Sequence, residues 1–325
     1  MSTRTPGFLK GLLTAAALAA VSLSATPSLA ELKGLEIIAP ASPGGGWDQH
    51  ARALQQVLQN QKLAANVQVS NIPGAGGTIG LAQFVTAKKR TPTLLVGGQI
   101  MQGAILTNKS PVTLEQVTPL ARLTGEYTGL VVPADSQIKT LDDLLKTFKA
   151  NPGSVSWGGG SAGGSDQILA GLIAKEAGVD PSKVNYVATA GGGELMSQIL
   201  GGHITVAMGG YNEFAPQIDA GKLRPIAVSA PQRLPGIATP TLKEQGIDLE
   251  FVNWRGVFAQ GGLKPAEKKD LEEAVAKTVA SDEWKQLLKQ RGWIDLYMPS
   301  SEFAAFLKDE RPRIETALKD LGVVK

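Results

Sequence analysis

Residues 67–84, VQVSNIPGAGGTIGLAQF, read as a strand that ends in a glycine turn and opens a helix. Val67 to Ile72 supply an apolar, β-branched run, Pro73-Gly74-Ala75-Gly76-Gly77 turns the chain, and Thr78 through Phe84 continue as helix. The phrase recurs on both sides. Before it, Leu35 to Ala39 is a strand, Ser42 to Trp47 a turn, and the helix from Asp48 places Ala51, Leu54, Val57 and Leu58 on one face. After it, Thr93 to Val96 runs into Gly97-Gly98-Gln99. Strands that alternate with helices through such turns predict parallel-sheet α/β construction.

The pattern resumes beyond Pro133. Thr140 is an expected N-cap for a helix over 141–149 that stops at Asn151-Pro152-Gly153. Ser154 to Trp157, Asn185 to Ala188 and Ile204 to Met208 are then three more strands, ending in the loop Gly158 to Ser165, in Gly191-Gly192-Gly193 and in Gly209-Gly210-Tyr211. Two sets of units predict two sheets. Tyr127 to Val132 and Phe251 to Phe258 are the apolar runs placed to pass between them as hinge strands. This divides the chain into a leader, 1–30, a first lobe, 31–126 plus 252–325, and a second lobe, 127–251. The C-terminal part reads as helices over 266–280, 282–290 and 303–321, the last kinked at Pro312 and packed back onto the first lobe.

A chain of 325 residues, 43% apolar and 19% charged, can bury the core of two such lobes. Its first thirty residues carry Arg4 and Lys10, an apolar run from Leu12 to Leu23, and Ser28-Leu29-Ala30. Thr14, Ser22, Ser24 and Pro27 interrupt the run, which is shorter than the roughly 20 apolar residues of a spanning helix. A secretory leader cleaved near Ala30 is expected. Zero cysteines fit export and exclude a lipoprotein anchor, disulfides, thiolate metal sites and cysteine nucleophiles. Loss of the leader leaves thirty basic residues against 29 acidic ones, so nucleic-acid binding through a general basic field is disfavoured. From Gln49 to Leu114 there is no Asp or Glu, whereas Arg52, Lys62, Lys88, Lys89, Arg90 and Lys109 fall there. A positive local potential is expected from that segment.

A glycine turn between strand and helix leaves N–H groups at the positive end of the helix dipole, which suits a phosphate or a carboxylate. Six such turns at strand ends are expected to surround one crevice. Other chemistry finds little support. Gly74-x-Gly76 with Gly80 lacks both the dinucleotide spacing and a downstream acid, and no phosphate-binding lysine loop occurs. His50 and His203 stand far apart without ligand-spaced partners, so neither a metal nor a cofactor is expected. Ser161 and Ser165 lack a nucleophile motif and read as hydrogen-bonding hydroxyls. Asp48 and Asp166, at helix starts, read as braces that turn N–H groups toward a ligand. Arg255, in Asn253-Trp254-Arg255-Gly256, suits either a two-pronged carboxylate clamp or an ion pair between the lobes.

The residues also resemble a known family, the solute-binding receptors of tripartite tricarboxylate transporters, or Bug receptors. The matching phrases are Pro43-Gly44-Gly45-x-x-Asp48, Pro73-Gly74-Ala75-Gly76-Gly77, Asn151-Pro152-Gly153, Gly201-Gly202-His203, Ala220-Gly221-Lys222-Leu223-Arg224 and Trp254-Arg255-Gly256-Val257-Phe258. The last is most similar to the citrate-type branch. The resemblance implies a type II, two-lobed periplasmic flytrap with glycine-tipped mixed sheets, binding a di- or tricarboxylate for a membrane permease, without catalysis. By carry-over, Ser42, Gly44, Gly45, Ala75 and Gly76 would hold a carboxylate. Gly160, Ser161, Ser165, Asp166, Ala190 and Gly191 would answer from the second lobe, and Trp47, Asp48, Gln99, Tyr211 and Arg255 complete the expected set. The loop Gly-Gly-Gly-Ser-Ala-Gly-Gly-Ser-Asp over 158–166 departs from the commoner, shorter family wording. A monomer is expected. The competing readings are a secreted α/β enzyme acting on a small anion, and a partner that presents its ligand to a sensor kinase.

Overall fold

The computed structural model describes residues 1–3, 31–87, 91–189 and 191–325. The leader from Arg4 to Ala30, the cations Lys88, Lys89 and Arg90, and Ala190 lie outside the described residues. In chain order the first half holds β1 (Leu35–Ala39), α1 (Gly46–Asn60), β2 (Val67–Asn71), α2 (Thr78–Thr86), β3 (Thr93–Gly98), α3 (Gln99–Thr107) and β4 (Val117–Pro133). There follow α4 (Leu141–Ala150), β5 (Ser156–Gly159), α5 (Ser165–Glu176), β6 (Asn185–Ala188), α6 (Gly192–Leu200), β7 (Val206–Gly210), α7 (Tyr211–Asp219) and β8 (Leu223–Val228). The chain ends with β9 (Val252–Gln260), α8 (Pro265–Ala280), α9 (Asp282–Arg291), β10 (Ile294–Pro299) and α10 (Ser300–Asp320).

The two expected βα sets form as two parallel groups. β1 pairs in parallel with β2 and β3, and β5 with β6 and β7. The reason is local. β1 and β3 are buried almost throughout and so take helices on both faces, while α1 turns Ala51, Leu54, Val57 and Leu58 inward at helical spacing. At the start of α4 the Thr140 hydroxyl accepts from the Asp143 N–H and the Asp143 carboxylate accepts from the Thr140 N–H, a reciprocal cap.

β4 joins the groups into one mixed sheet in the order β2-β1-β3-β9-β4-β7-β5-β6, with β8 and β10 also pairing with β4. Its first part, Val117 to Tyr127, runs antiparallel to β9, and its second part, Thr128 to Val131, antiparallel to β7. The sequence suggests a strand only from Tyr127. Register shifts near Pro119 and near Arg122 accommodate a stretch whose alternation is broken, which hides the strand from a period-2 reading. β8 and β10 also go unread in the sequence. β10 alternates half-buried and exposed residues along an edge of β4, a weak signal beside the flanking helices.

Two main cores lie on either side of this crossing. Trp254, Trp284, Phe84, Phe258 and Phe303 anchor the first. Phe148, Trp157, Ile168, Leu169 and Met208 anchor the second. A smaller cluster of Leu195, Ile199 and Phe214 lies beneath α6 and α7. The expectation that the C-terminal helix packs on the first lobe needs correction. Phe303 does meet Trp254 and Phe258 there, with ring centroids 5.5 and 5.4 Å away. Ile314, Ala317 and Leu318, however, belong to the second core. α10 runs on through Pro312, and at 21 residues it is long enough to reach both. Among the described residues no helix is long and apolar enough to cross a membrane.

Candidate ligand cleft

Between the two cores lies a cavity of about 590 Å³. Its walls are helix beginnings. Gly46, Ser165 and Gly192 open α1, α5 and α6, Asn212 and Glu213 lie in the first turn of α7, and all five residues line the cavity. The first-turn N–H groups of a helix have no intrahelical acceptor, so four positive dipole ends converge on one space. β4 and β9 supply the floor through Glu126, Thr128, Asn253 and Arg255, and Arg291 and Trp293 close one side. A groove of similar volume between α3 and α10 is lined mainly by apolar residues such as Ile105, Leu106 and Leu307 and receives no strand tips.

Four of the six glycine turns reach the cleft, those after β1, β5, β6 and β7. The other two are drawn into packing. In the turn after β2, the Ala75 carbonyl accepts from Thr78 and from Asn108, both at 2.9 Å. Gly76 lies so close to α3 that a Cβ there would stand 2.5 Å from the Ala104 methyl. Ala75 and Gly76 therefore do not line the cleft. Nor does Gln99, which is buried with its amide directed to Glu310 at 3.5 Å. Trp47 fills the space beside Gly77 and Gly98. Tyr211 lines a neighbouring cavity and meets the Thr239 hydroxyl at 3.0 Å. Ser42 is exposed outside the cleft and accepts the Gly45 N–H at 3.0 Å. Ala190 is not described, whereas Gly44, Gly45, Gly160, Ser161, Ser165, Asp166, Gly191 and Arg255 all line the cavity.

The amides differ in availability from the sequence expectation. Gly44 N–H donates to Asp48 Oδ2 at 2.8 Å and Gly45 N–H to Ser42, so both are occupied. The open donors of this turn are the first-turn amides of α1. Asp48 holds the turn as a brace, accepting also from Asn71 at 2.8 Å and Arg52 at 2.9 Å. Burial opposes its ionisation, but donation from Arg52, Gly44 and Asn71 outweighs burial and holds the carboxyl below its usual range. Asp166 makes the corresponding brace, accepting from Gly160 N–H at 2.9 Å and Ser165 Oγ at 3.4 Å. Burial, reinforced by the charge of Glu126, nevertheless pushes Asp166 up to about 6.

Arg255 is ion-paired with Glu126 on the adjoining strand, and both residues fall in the expected first lobe, so the pair does not bridge the lobes. The guanidinium also lies against Gly46, where a Cβ would come within 2.9 Å of Nη2. His50 is fully buried beneath it. Nδ1 is 2.8 Å from the Gly46 carbonyl and Nε2 2.7 Å from the Thr124 hydroxyl, an arrangement met by a neutral ring that donates to Gly46 and accepts from Thr124. Burial, then the nearby Arg255 charge, holds its pKa well below the usual value. Trp293 stacks on His50 at 3.5 Å between ring centroids. Among the described residues no group of three or more His, Cys, Asp or Glu could hold a metal ion.

Sequence reasoning misses Glu126, Glu213 and Arg291. None lies in a glycine phrase, and each reaches the cleft only through the folding of distant segments. The positive potential expected of the acid-free segment is also corrected. Arg52 is spent on Asp48, and none of the segment's described cations lines the cleft, which holds three carboxylates brought from elsewhere. Of these, Glu213 covers the start of α6, where a Cβ on Gly192 would meet its Oε2 at 2.8 Å. Withdrawal from bulk water inside the cleft, then repulsion by Glu126 and Asp166, pushes Glu213 up to about 7.

Two cores joined through a crossing strand, with helix starts facing one another across the gap, define a two-lobed solute-binding receptor of the periplasmic binding protein fold. The chain belongs to the TctC family, the tripartite tricarboxylate transporter family receptors, whose sequence profile matches residues 50–323. A Cupriavidus necator protein described as "UPF0065 protein in gbd 5'region" is 28% identical over 324 residues, covering 96% of each chain. A TctC solute binding protein from Polaromonas, solved without ligand, superposes with a TM-score of 0.72 at 27% identity, covering 89% of this chain and 99% of that one. An R. palustris protein solved with adipate has a TM-score of 0.78 at 20% identity, over 90% of this chain and 98% of its own, which speaks for the fold. The family is one of receptors and the Polaromonas relative a solute binding protein, which places this chain among receptors rather than enzymes.

Proposed function

We propose that the protein is exported, loses its leader near Ala30, and captures a small organic acid in the periplasm for the membrane subunits of a tripartite transporter. The lobes are residues 31–126 plus 252–325 and 127–251, with the end of α10 strapped across to the second. The observation that carries this reading is the meeting of four helix N-termini at one cavity. It is an arrangement that replaces the water around a carboxylate with fixed N–H groups. The cavity, at about 590 Å³, has room for a small organic acid.

Within the expected range of di- and tricarboxylates, the three cleft acids weigh against a ligand as highly charged as citrate and favour one of lower negative charge. Thermal unfolding against a panel of citrate, malate, succinate, adipate and glutamate tests the reading. A ligand present at 100 times its Kd stabilises by about 2.7 kcal/mol. No shift with any member of the panel contradicts the assignment.

A further inference from the structure

We infer that Arg291, rather than Arg255, is the cation that engages the ligand's carboxylate, and that Asp166 and Glu213 across the cleft select a ligand that also carries a positively charged nitrogen. The occupant is then a small amino carboxylate rather than a bare polyacid. The inference rests on the carboxylate-receptor reading above and narrows its ligand class.

Among the described residues two guanidiniums reach the cleft, and they differ in what already holds them. Arg255 is buried, ion-paired with Glu126 and wedged against Gly46. Its charge is compensated before any ligand arrives. Arg291 is half-buried and has no carboxylate partner among the described residues. Its Nη1 donates to the neutral Gln49 side chain at 3.0 Å, and its guanidinium lies 5.2 Å from the centre of the Trp293 ring. Gln49 in turn donates to the Gly44 carbonyl at 2.9 Å, which ties Arg291 to the turn that opens α1. A planar cation held by neutral partners keeps both its charge and its fork for a carboxylate. The first-turn amides of α1 lie on the same wall.

The second lobe presents the opposite sign. Glu213 occupies the start of α6, so that dipole end already faces an anion. Burial, then the charges of Glu126 and Asp166, raise the cost of ionising Glu213. After Arg255 and Glu126 cancel, one guanidinium faces two carboxyl groups. A dianion or trianion placed there adds repulsion inside a poorly solvated space. An ammonium group beside Asp166 and Glu213 relieves it, while the carboxylate of the same molecule reaches Arg291.

Calorimetric titration of the full mature chain with matched pairs tests this: succinate against aspartate, glutarate against glutamate, propionate against β-alanine. The expected result is at least about tenfold tighter binding of the amino member in one pair or more. Arg291→Ala should weaken that binding about tenfold or more, with partial rescue by Arg291→Lys. Glu213→Gln should weaken the amino member and leave or improve its amine-free partner. Circular dichroism and a cooperative melting transition establish that the variants fold. Amine-free acids that bind as tightly as their amino partners, with ratios indifferent to Glu213→Gln, overturn the inference and leave the receptor reading standing. Failure of every acid in all three pairs overturns that reading as well.

Discussion

The Arg255 guanidinium donates to the Glu126 carboxylate across the β9–β4 ladder, next to the point where β4 leaves one core for the other. Arg255 is 8% exposed, so removing it strands a carboxylate in a cleft that already holds two more. Arg255→Ala should cost about 3–5 kcal/mol in urea unfolding, as for other buried pairs broken from one side. Adding Glu126→Gln to that variant should restore part of the loss. Costs of Arg255→Ala and Glu126→Gln that simply add in the double variant would show the pair to be uncoupled.

Asp48 shapes the first anion turn without lining the cleft. Asp48→Ala removes acceptors for Gly44, Asn71 and Arg52 together, and should lower stability by about 1–3 kcal/mol and ligand affinity with it. Because its folded pKa lies below the ordinary carboxylate value, the stabilisation is present above about pH 4 and is lost as the pH falls through the folded pKa. A wild-type-minus-variant difference in melting temperature that shrinks in acid is the expected signature.

The cleft acids titrate in the opposite sense. Burial lifts Asp166 from 3.8 to about 6 in the folded chain, facing Glu126, Glu213 and Arg255. Between those values the folded state holds a proton that the unfolded state has released. The contribution of Asp166 to stability therefore falls as pH rises through that window, and Glu213 extends the fall to about pH 7. Asp166→Asn should melt about 2 °C higher than wild type at pH 8 in the unliganded state and nearly level with it at pH 4. Scanning calorimetry at both pH values checks the sign.

The lobes also touch at a second place. A Cβ on Gly103, in α3, would stand 2.1 Å from the Gly163 carbonyl in the loop before α5. No rotamer change relieves a backbone clash of that kind, so Gly103→Ala should push the lobes apart and reduce affinity by roughly tenfold by disfavouring the arrangement that brings both lobes to the cleft. Small-angle scattering of the unliganded variant should report a larger radius of gyration. An unaltered scattering profile with unaltered affinity would mean that the contact is absorbed locally.

Much of this molecule follows from local chemistry. The face formed by Ala51, Leu54, Val57 and Leu58, the Thr140 cap and the glycine-ended strands were all readable because each depends on neighbours a few residues away. The start of β4 was not, since its pairing tolerates register shifts that erase the alternation. Identical turn chemistry also failed to tell a strand tip that faces the cleft from one that packs. Only the nearness of Ala104 and Trp47 in space separates the turns after β2 and β3 from the rest.

By itself the sequence determined the two sets of βα units, their glycine tips and the family to which they belong. Those features are encoded in dihedral preference and short-range periodicity. The charge balance of the cleft was decided by tertiary structure alone. Arg291 and Gln49 meet across 242 residues, and Arg255 and Glu126 across 129. Which cation is compensated and which is free depends on distance and on the depth of the surrounding protein, and neither quantity is written in the order of residues along the chain.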